Sequence, residues 1–360
     1  MTYENGQLNI YNVTAKEVDK LNKEIISAYE MAYKQIDVEL AKTYATVLMG
    51  IPPDDYYNEM LKYKRLQNLQ NGIADIMHDT FKLSDRTTID ASELAMSNSY
   101  YREIYQSQWF SGLDFVYLNK DLLDYAVTGN LSTWKDIKDT AIAKISDPLK
   151  NYSPKTGTLT ELLADNNEAA LAKIRKAVNS NLIQEKSYKV ASKDIAEIIG
   201  QASFENGVEK VDGLMYKALR ISRTEGGRTL SLGQLQSGQQ AEAQGVKMQK
   251  QWNATLDMRT RQKHASVDGQ RVDFDKSFDV SGDMMPMPRI SGSASNVINC
   301  RCSSINIIDG IEPSLRRGRN PVKNPETGKY ETEVFTFRSF DTWAKEKGLK
   351  YNKSGRLVKK

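Results

Sequence analysis

Histidine and cysteine are scarce in this 360-residue chain, which contains two of each. One histidine, His264, and both cysteines, Cys300 and Cys302, lie in a single stretch of the sequence. Imidazole and thiolate groups are the ligands that zinc prefers in structural sites. A thiol beside an imidazole can also serve as a nucleophile and its base. Two small cysteines can equally fill a hydrophobic core, so the spacing leaves a metal site, a nucleophilic pair and simple packing as alternatives.

Neither kind of chemistry is complete in the sequence. A tetrahedral zinc site would need a fourth ligand from Asp268, Asp283 or a water molecule. A nucleophilic cysteine would need an orienting group and an oxyanion site, for which there is no local motif. Asp268, Asp273 and Asp275 could hold magnesium, although they also suit a surface hairpin. Because a Walker loop, a dinucleotide glycine pattern and H-E-x-x-H are missing from the sequence, we predict no enzyme. A metal-dependent hydrolase or nuclease at the histidine–cysteine site is the alternative.

Short elements must position these residues. Alternating apolar residues from Val246 to Trp252 predict a half-buried strand. Asp257 is placed to cap a short helix from Thr260 to Ala265. The Asp268-Gly269 dipeptide predicts the turn of a tight hairpin. A later strand is expected to carry both cysteines on one face with Ile298, so the order is strand, short helix, hairpin, loop and strand.

Four motifs in this part of the chain occur in a characteristic order. They are R-T-E at 223–225, G-V-x-x-x-K-x-W at 245–252, W-N-A-T-L-D-M-R-T-R-Q-K-H-A-S-V-D-G-Q at 252–270 and I-N-C-R-C at 298–302. Together they resemble the phage head morphogenesis or minor head protein family of the bacteriophage Mu F type, over residues 220–308. The residues that carry the resemblance are Arg223, Glu225, Trp252, Asp257, Arg259, His264, Asp268, Gly269, Asn299, Cys300, Arg301 and Cys302.

The chain departs from the family pattern at its metal-binding positions. Many members carry C-x-x-C and H-P-x-C-R-C at the two ends of this block, which looks like a zinc-type cluster. Here Arg261 and His264 stand where the first pair would be, and Val297 or Ile298 stands near the second histidine. The resemblance therefore implies a depleted ligand set. We predict no cofactor, with zinc on His264 and the two cysteines as the alternative.

The resemblance also implies a function and a location. A member of this family is expected to act in prohead assembly near the portal, with portal protein, scaffold or major capsid protein as partners. It would work in the host cytoplasm during assembly of a phage or prophage, and remain in the head interior or at the portal vertex of the virion. A membrane partner is not expected, because no run of about 18 apolar residues is present.

Positive charge is concentrated towards the C-terminus. The whole chain has a net charge of +4, whereas residues 309–360 contain 13 Lys and Arg against 7 Asp and Glu. Such a surface can contact packaged DNA or an acidic protein, or can simply be solvated. The candidates for contact with DNA are Arg316, Arg317, Arg319, Lys359 and Lys360.

The hydrophobic periodicity predicts the fold class. Apolar residues recur every three or four positions from Thr14 to Met49, which indicates a long amphipathic helix that packs within the chain or docks on a partner. Short alternating segments appear from Gly245 to Phe337. We therefore predict an α+β protein whose helical N-terminal half precedes a mixed domain with a small antiparallel sheet. The expected domains are a helical domain at 1–150, a minor head core at 151–308 and a basic C-terminal extension at 309–360.

Overall fold

The fold, taken from a computed structural model, is α+β. The structure describes residues 3–111, 159–200, 203–205, 208–210, 213–308, 310–312 and 314–359. The described N-terminal part is helical, and strands concentrate in the C-terminal part, as the sequence predicts. The sequence has an aromatic cluster at 109–117 that predicts a core element, and Pro and Gly residues at 147–157 that predict a loop. The packing of both stretches lies outside the described residues.

The chain forms two compact units. One combines residues 17–91 with 152–223, and the other combines 1–16, 92–151 and 224–360. The domain bounds at 150 and 308 stay predictions. Among the described residues, no helix is long and apolar enough to cross a membrane.

The first unit is built around a helical core. Its main helices are α1 (Tyr3–Thr46), α2 (Tyr56–Leu61), α3 (Arg65–Ser111), α4 (Leu159–Ile183), α5 (Tyr188–Ile199) and α6 (Leu214–Ala243), of which α3 and α6 continue into the other unit. From Ile25 to Leu40 the apolar seam of α1 is buried in this core, so this part of the helix packs within the chain. The buried cluster includes Ile25, Tyr29, Ile36, Leu40, Met60, Ile73, Met77, Ile174, Val178, Ile195 and Leu214.

One residue of a second apolar stripe points to solvent. Residues at helical spacing from Tyr56 to Met77 include Tyr63 and predict that it faces the core, but Tyr63 is 83% exposed. It lies in a 3-10 segment, Lys62–Lys64, with a φ of 52° that interrupts the helix between α2 and α3. The helical periodicity is lost there because a left-handed residue changes the direction of the chain.

The second unit contains the histidine–cysteine region on a three-stranded antiparallel sheet. Its strand order is β4 (Arg271–Asp273), β3 (Met248–Asn253) and β7 (Ser303–Ile308). The predicted strand through Trp252 is therefore confirmed at β3, although Lys250 and Gln251 are buried as well. Helices α3 and α6 supply polar contacts to β7: the Asn306 amide donates to Glu103 at 2.8 Å, and the Gln234 amide donates to the Ser304 carbonyl at 3.1 Å.

The glycines of α6 allow close packing. An added Cβ on Gly233 would lie 2.3 Å from the Met96 carbonyl oxygen, and one on Gly238 would lie 1.9 Å from the Phe274 ring. Both distances are shorter than any tolerable contact, so these positions accept only glycine without movement of a neighbour. Gly226, Gly227 and Gly233 within a helical sequence indicate either close packing or a break, and the structure shows close packing at Gly233.

The local predictions for the loop after β3 need correction. The short helix α7 spans Gln262–Ser266 and begins after Arg261, without a side-chain cap from Asp257. Asp268-Gly269 is not a hairpin turn, because β3 and β4 are joined by the whole segment that contains α7. Gly269 does adopt a positive φ of 82°, as such a dipeptide predicts. The tight hairpin lies further on, where β5 (Phe278–Val280) pairs with β6 (Asp283–Met285).

The C-terminal segment folds as part of the second unit. The single-turn helix α8 (Ala294–Val297) precedes β7. After β7 the chain forms β8 (Leu315–Lys323), β9 (Tyr330–Thr336), α9 (Phe340–Glu346), β10 (Leu349–Tyr351) and β11 (Leu357–Lys359). The sequence after Ile308 predicts a basic loop at 316–319, then a strand with alternating residues and a short helix with Trp343 inward. The strand, β9, and the buried Trp343 are confirmed, whereas residues 316–319 belong to strand β8. Apolar residues of the C-terminal segment join the same core cluster as the residues around β3: Trp252, Leu256, Phe278, Cys300, Cys302, Phe340, Trp343, Leu349 and Leu357.

The two-stranded sheets are β1 (Ser203–Glu205) with β2 (Val208–Lys210), β5 with β6, β8 with β9, and β10 with β11.

Candidate metal centre

The structure brings His264, Cys300 and Cys302 together in the core of the second unit. His264 Nδ1 lies 3.3 Å from Cys302 Sγ and 3.5 Å from Cys300 Sγ. The three atoms all lie within 4.8 Å of one another, and each residue is buried. Ligand atoms of a tetrahedral zinc site with bonds of about 2.0 to 2.3 Å lie about 3.3 to 3.8 Å apart. The nitrogen–sulfur distances therefore fit three corners of such a site.

The cysteines belong to a turn and not to a strand. Both precede β7, and Ile298, which was expected to share their face, is 38% exposed. Asn299 has a φ of 54°, and its N–H donates to Thr224 Oγ1 at 3.1 Å. This left-handed residue reverses the chain, so that both thiols point inward from one short turn.

A hydrogen-bonded chain orients the imidazole. His264 Nε2 lies 3.3 Å from Asn296 Oδ1. The Asn296 amide donates to Asp283 at 2.7 Å, and Asp283 also accepts from the Ser293 N–H at 2.8 Å. Since Nε2 has a hydrogen-bond acceptor, it holds the proton and leaves the lone pair of Nδ1 directed at the sulfurs.

Arg289 binds the backbone of the cysteine turn. Its Nη1 donates to the carbonyl oxygens of Cys300 at 3.1 Å and of Cys302 at 2.7 Å. Its Nη2 donates to Ser231 Oγ at 3.1 Å. The side chain fits closely over α6, since a Cβ on Gly227 would lie 2.8 Å from Arg289 Nε. The guanidinium thereby connects the turn to the helix.

An ion pair closes the turn on its other side. Asp257 Oδ1 accepts from Arg301 Nη2 at 2.8 Å, and a shorter contact joins Arg301 Nη1 to Asp257 Oδ2. Asp257 Oδ1 also accepts from the Arg259 N–H at 2.8 Å. Thr255 Oγ1 donates to the Arg301 carbonyl at 2.6 Å. The two segments that carry the histidine and the cysteines are therefore joined by a bidentate pair.

Arg261 adds a link where the family pattern would have a metal ligand. Its guanidinium donates to the carbonyl oxygen of Ile298. Arg261 and Ile298 are two of the positions at which the chain departs from the zinc-type pattern of the family. A direct hydrogen bond thus joins the same two segments that a fuller metal cluster would join.

The two thiols have opposite pKa shifts. A hydrogen bond from the Cys302 thiol, together with the His264 ring, lowers the pKa of Cys300 well below its usual value despite burial. Burial and the neighbouring Cys300 raise the pKa of Cys302. Both shifts arise within one tightly coupled buried pair, and a metal would bind these cysteines in the ionised form.

The acids considered as a fourth ligand have other partners. Asp283 accepts from Ser293 and Asn296, and Asp268 accepts from Arg316. Within the described part of the chain, the cluster consists of the histidine and the two cysteines alone. Asp273 and Asp275 lie at or just after β4, where Asp273 accepts from Gln249 at 3.1 Å and Asp275 pairs with Lys276 at 2.9 Å. They do not join the histidine–cysteine cluster.

Asp268 connects several segments of the second unit through hydrogen bonds, a role that the sequence did not indicate. Its carboxylate accepts from Arg316 Nη2 at 2.6 Å and Nη1 at 2.8 Å, and from the N–H groups of Ala254 and Phe340 at 2.7 Å each. The side chains of the Asp268–Arg316 pair are 2% and 3% exposed. Arg316 is consequently unable to meet DNA, contrary to its place among the DNA-contact candidates.

The remaining predicted residues are spread over the second unit and its boundary. Arg223 is exposed on α6, whereas Glu225 pairs with Arg228 at 2.5 Å in the interior. Trp252 packs edge-on against the His264 ring with centroids 5.8 Å apart. Arg317 is half-buried, Arg319 and Lys359 are exposed, and Lys360 lies outside the described residues. Sequence reasoning missed Arg289 and Asn296, which lie in the Gly/Ser/Pro-rich span that has no periodic pattern.

Comparisons with known proteins agree with this architecture. Residues 172–305 match the family described as Phage Mu protein F like protein. Minor head protein GP7 of Bacillus phage SPP1 is 26% identical over 294 residues, which cover 81% of this chain and 82% of that protein. NAD(+)--arginine ADP-ribosyltransferase EFV of Enterococcus faecalis is 30% identical over 227 residues, or 61% of this chain. No solved structure gives a significant match.

The matched residues 172–305 form a Mu F-like domain. The chain as a whole is a distant homologue of the SPP1 minor head protein. It spans only 42% of the length of the ADP-ribosyltransferase.

Proposed function

We propose that this protein is a minor head protein that acts in prohead assembly near the portal and contacts packaged DNA. The observation that carries the proposal is the match to the SPP1 minor head protein, which extends over 82% of that protein. A match of this extent includes the helical region as well as the Mu F-like domain. Portal protein, scaffold or major capsid protein are the partners we propose, and the head interior or the portal vertex is the proposed location.

The buried histidine–cysteine site supports a structural role over a catalytic one. Its three side chains are 2% to 5% exposed. A substrate would have to displace the Trp252 ring or the cysteine turn to reach these atoms. The alternative of a metal-dependent hydrolase or nuclease at this site therefore has less support than assembly.

Complementation tests the assembly role. A phage or prophage that lacks the gene should release fewer infectious particles, and the wild-type gene supplied in trans should restore the titre. Asp257→Ala, which breaks the pair with Arg301, should restore it poorly, whereas Asp275→Ala, which removes an exposed carboxylate just after β4, should restore it fully. A deletion strain with a normal titre and normal particles would contradict the proposal.

We also propose that His264, Cys300 and Cys302 hold one zinc ion that closes the cysteine turn, with water as the fourth ligand. The nitrogen–sulfur distances and the burial of the three side chains support this assignment. Zinc bound there would stabilise the turn, and binding would release protons as the thiols ionise.

Elemental analysis of protein purified without chelators should give about one zinc per chain. Cobalt substitution should give a thiolate charge-transfer absorption band, since cobalt accepts the same ligands. Cys302→Ser should lose the band and most of the metal, whereas Ser303→Ala at the start of β7 should keep both. Metal-free wild-type protein with an unchanged melting temperature after zinc addition would refute the zinc proposal.

A second candidate function follows from the 30% identity to the arginine ADP-ribosyltransferase. Under this alternative the chain would transfer ADP-ribose from NAD to arginine. Labelled NAD incubated with the protein and host extract should label no protein if the assembly role is the correct one. Labelling that requires this chain would favour the enzyme.

A further inference from the structure

The β8–β9 ribbon segregates its charges between its two faces. Cross-strand partners share a face in an antiparallel pair, and the register pairs Arg317 with Val334, Arg319 with Thr332 and Lys323 with Tyr330. These residues therefore lie on one face, which we call the outer face. None of them is acidic.

The opposite face is packed against the protein. Arg316 is buried on this side, and a Cβ on Gly318 would lie 2.7 Å from the Phe335 ring and 3.2 Å from Trp343 Nε1. Glu333 points to this side as well and pairs with Lys347 at 2.6 Å. The acidic Glu333 is thus neutralised away from the outer face.

The cations of the outer face are arranged around an exposed ring. Arg319 lies 5.2 Å and Lys323 5.6 Å from the centre of the Tyr330 ring. Tyr330 is 42% exposed and Val334 is 47% exposed. Such cation–π contacts fix the direction of long side chains without neutralising them. In the described part of the chain, Arg317, Arg319 and Lys323 form no salt bridge that would occupy their charge.

We propose that the outer face of the β8–β9 ribbon binds the phosphate backbone of double-stranded DNA, through Arg317, Arg319 and Lys323 with Tyr330 between them. The Arg and Lys side chains of this face pair with phosphate oxygens. Phosphate contacts carry no sequence information, so the binding is independent of base sequence.

The alternative occupant, an acidic protein surface, fits less well. Stable protein interfaces have an apolar centre rich in aromatic residues. The outer face offers only one tyrosine and one valine, and the packed side of the ribbon is not available to widen it. DNA requires no such centre, since neutralisation of phosphates and release of counterions supply the affinity.

The inference rests on the proposed role beside packaged DNA, and binding to a duplex of mixed sequence at several salt concentrations tests it. Each phosphate contact adds about 0.9 to the slope of log affinity against log salt. The triple variant Arg317→Gln, Arg319→Gln, Lys323→Gln should lower that slope by about 2 to 3 and weaken binding on the order of tenfold or more at moderate salt. The double variant Arg317→Lys, Arg319→Lys should keep most of the slope.

A matched control removes three charges elsewhere. Lys23, Lys34 and Lys42 are exposed on α1, and their replacement by Gln should change the slope by less than about 1. Circular dichroism should be the same for both triple variants. An equal loss of DNA affinity in the two triple variants would overturn the inference, and so would a wild-type protein that does not bind DNA. So would tighter binding to polyglutamate than to DNA, which would identify an acidic protein as the occupant.

Incorporation into proheads separates this inference from the proposed function. If the outer-face variant enters proheads normally but binds DNA weakly, both proposals stand. If wild-type protein enters proheads but does not bind DNA, only the inference on the ribbon fails. If wild-type protein is missing from proheads, the assembly role fails, whatever the result with DNA.

Discussion

The helical core of the first unit and the α+β core of the second are stabilised by different interactions. The helical core is an apolar cluster in which residues such as Ile36 and Met77 are fully buried. The α+β core buries charged groups beside its apolar ones, among them Asp268, Arg316 and Arg289. Apolar packing tolerates substitution in proportion to the volume lost. A buried ion pair tolerates the loss of one partner poorly, because the other charge remains unsolvated.

The largest effect is therefore expected in the second unit. Asp268→Ala leaves Arg316 and the N–H groups of Ala254 and Phe340 without their acceptor, and should lower the free energy of unfolding by about 3 to 5 kcal/mol. Urea denaturation measures the loss. Asp275→Ala, which removes an exposed carboxylate next to Lys276, should change stability by less than about 0.5 kcal/mol. Similar losses in the two variants would remove the distinction between the units.

A smaller loss is expected in the helical core. Ile36 is fully buried in α1, whereas Val38 on the same helix is 62% exposed. Ile36→Ala should cost about 2 to 4 kcal/mol through lost burial and the cavity that remains. Val38→Ala should cost less than about 0.5 kcal/mol. If Ile36→Ala destabilises the protein no more than Val38→Ala, the packing of α1 described above is incorrect.

The smallest expected effect is a change in folding stability with pH. Burial raises the pKa of Glu103 to about 8, and its carboxyl accepts from the Asn306 amide. Because the folded-state pKa lies above the unfolded value of 4.5, the folded state retains the proton longer. The contribution of Glu103 to stability is complete below pH 4.5 and is lost as the pH rises to about 8.

Glu103→Gln, which mimics the protonated carboxyl, tests this dependence. The stability difference between variant and wild type should grow in favour of the variant from pH 5 to pH 8, the range set by that shift. Urea denaturation at several pH values measures it. A constant difference across this range would show that Glu103 ionises normally in the folded protein.

The same contrast explains what could be predicted from the sequence. The helices followed from periodicity, because α1 and α5 bury one apolar stripe each. Short alternating segments predicted the α+β part, and the resemblance of the motifs predicted that His264 lies close to the two cysteines. The Asp257 cap failed because that carboxylate pairs with Arg301, a residue far along the chain. Arg316 looked like a surface cation because sequence position does not reveal a buried partner such as Asp268.

Loop conformation was the other feature that could not be predicted from the sequence. Tyr63 and Asn299 adopt positive φ angles of 52° and 54°, although neither is a glycine. Tyrosine has little preference for this region, so the contacts around Tyr63 hold it there, whereas asparagine adopts it more readily than most residues. The turn that aims both thiols at His264 also depends on the tertiary links from Arg289 and Arg301, which have no signature in the local sequence.

Quantitative mass spectrometry of purified proheads and mature virions tests the central claim most directly. A minor head protein should be present in both particles at a low copy number relative to the major capsid protein, and should be recovered with the portal after partial disruption. Particles from a strain without the gene provide the control. If the protein is absent from both kinds of particle, and particles without it assemble and infect normally, the assembly account is wrong.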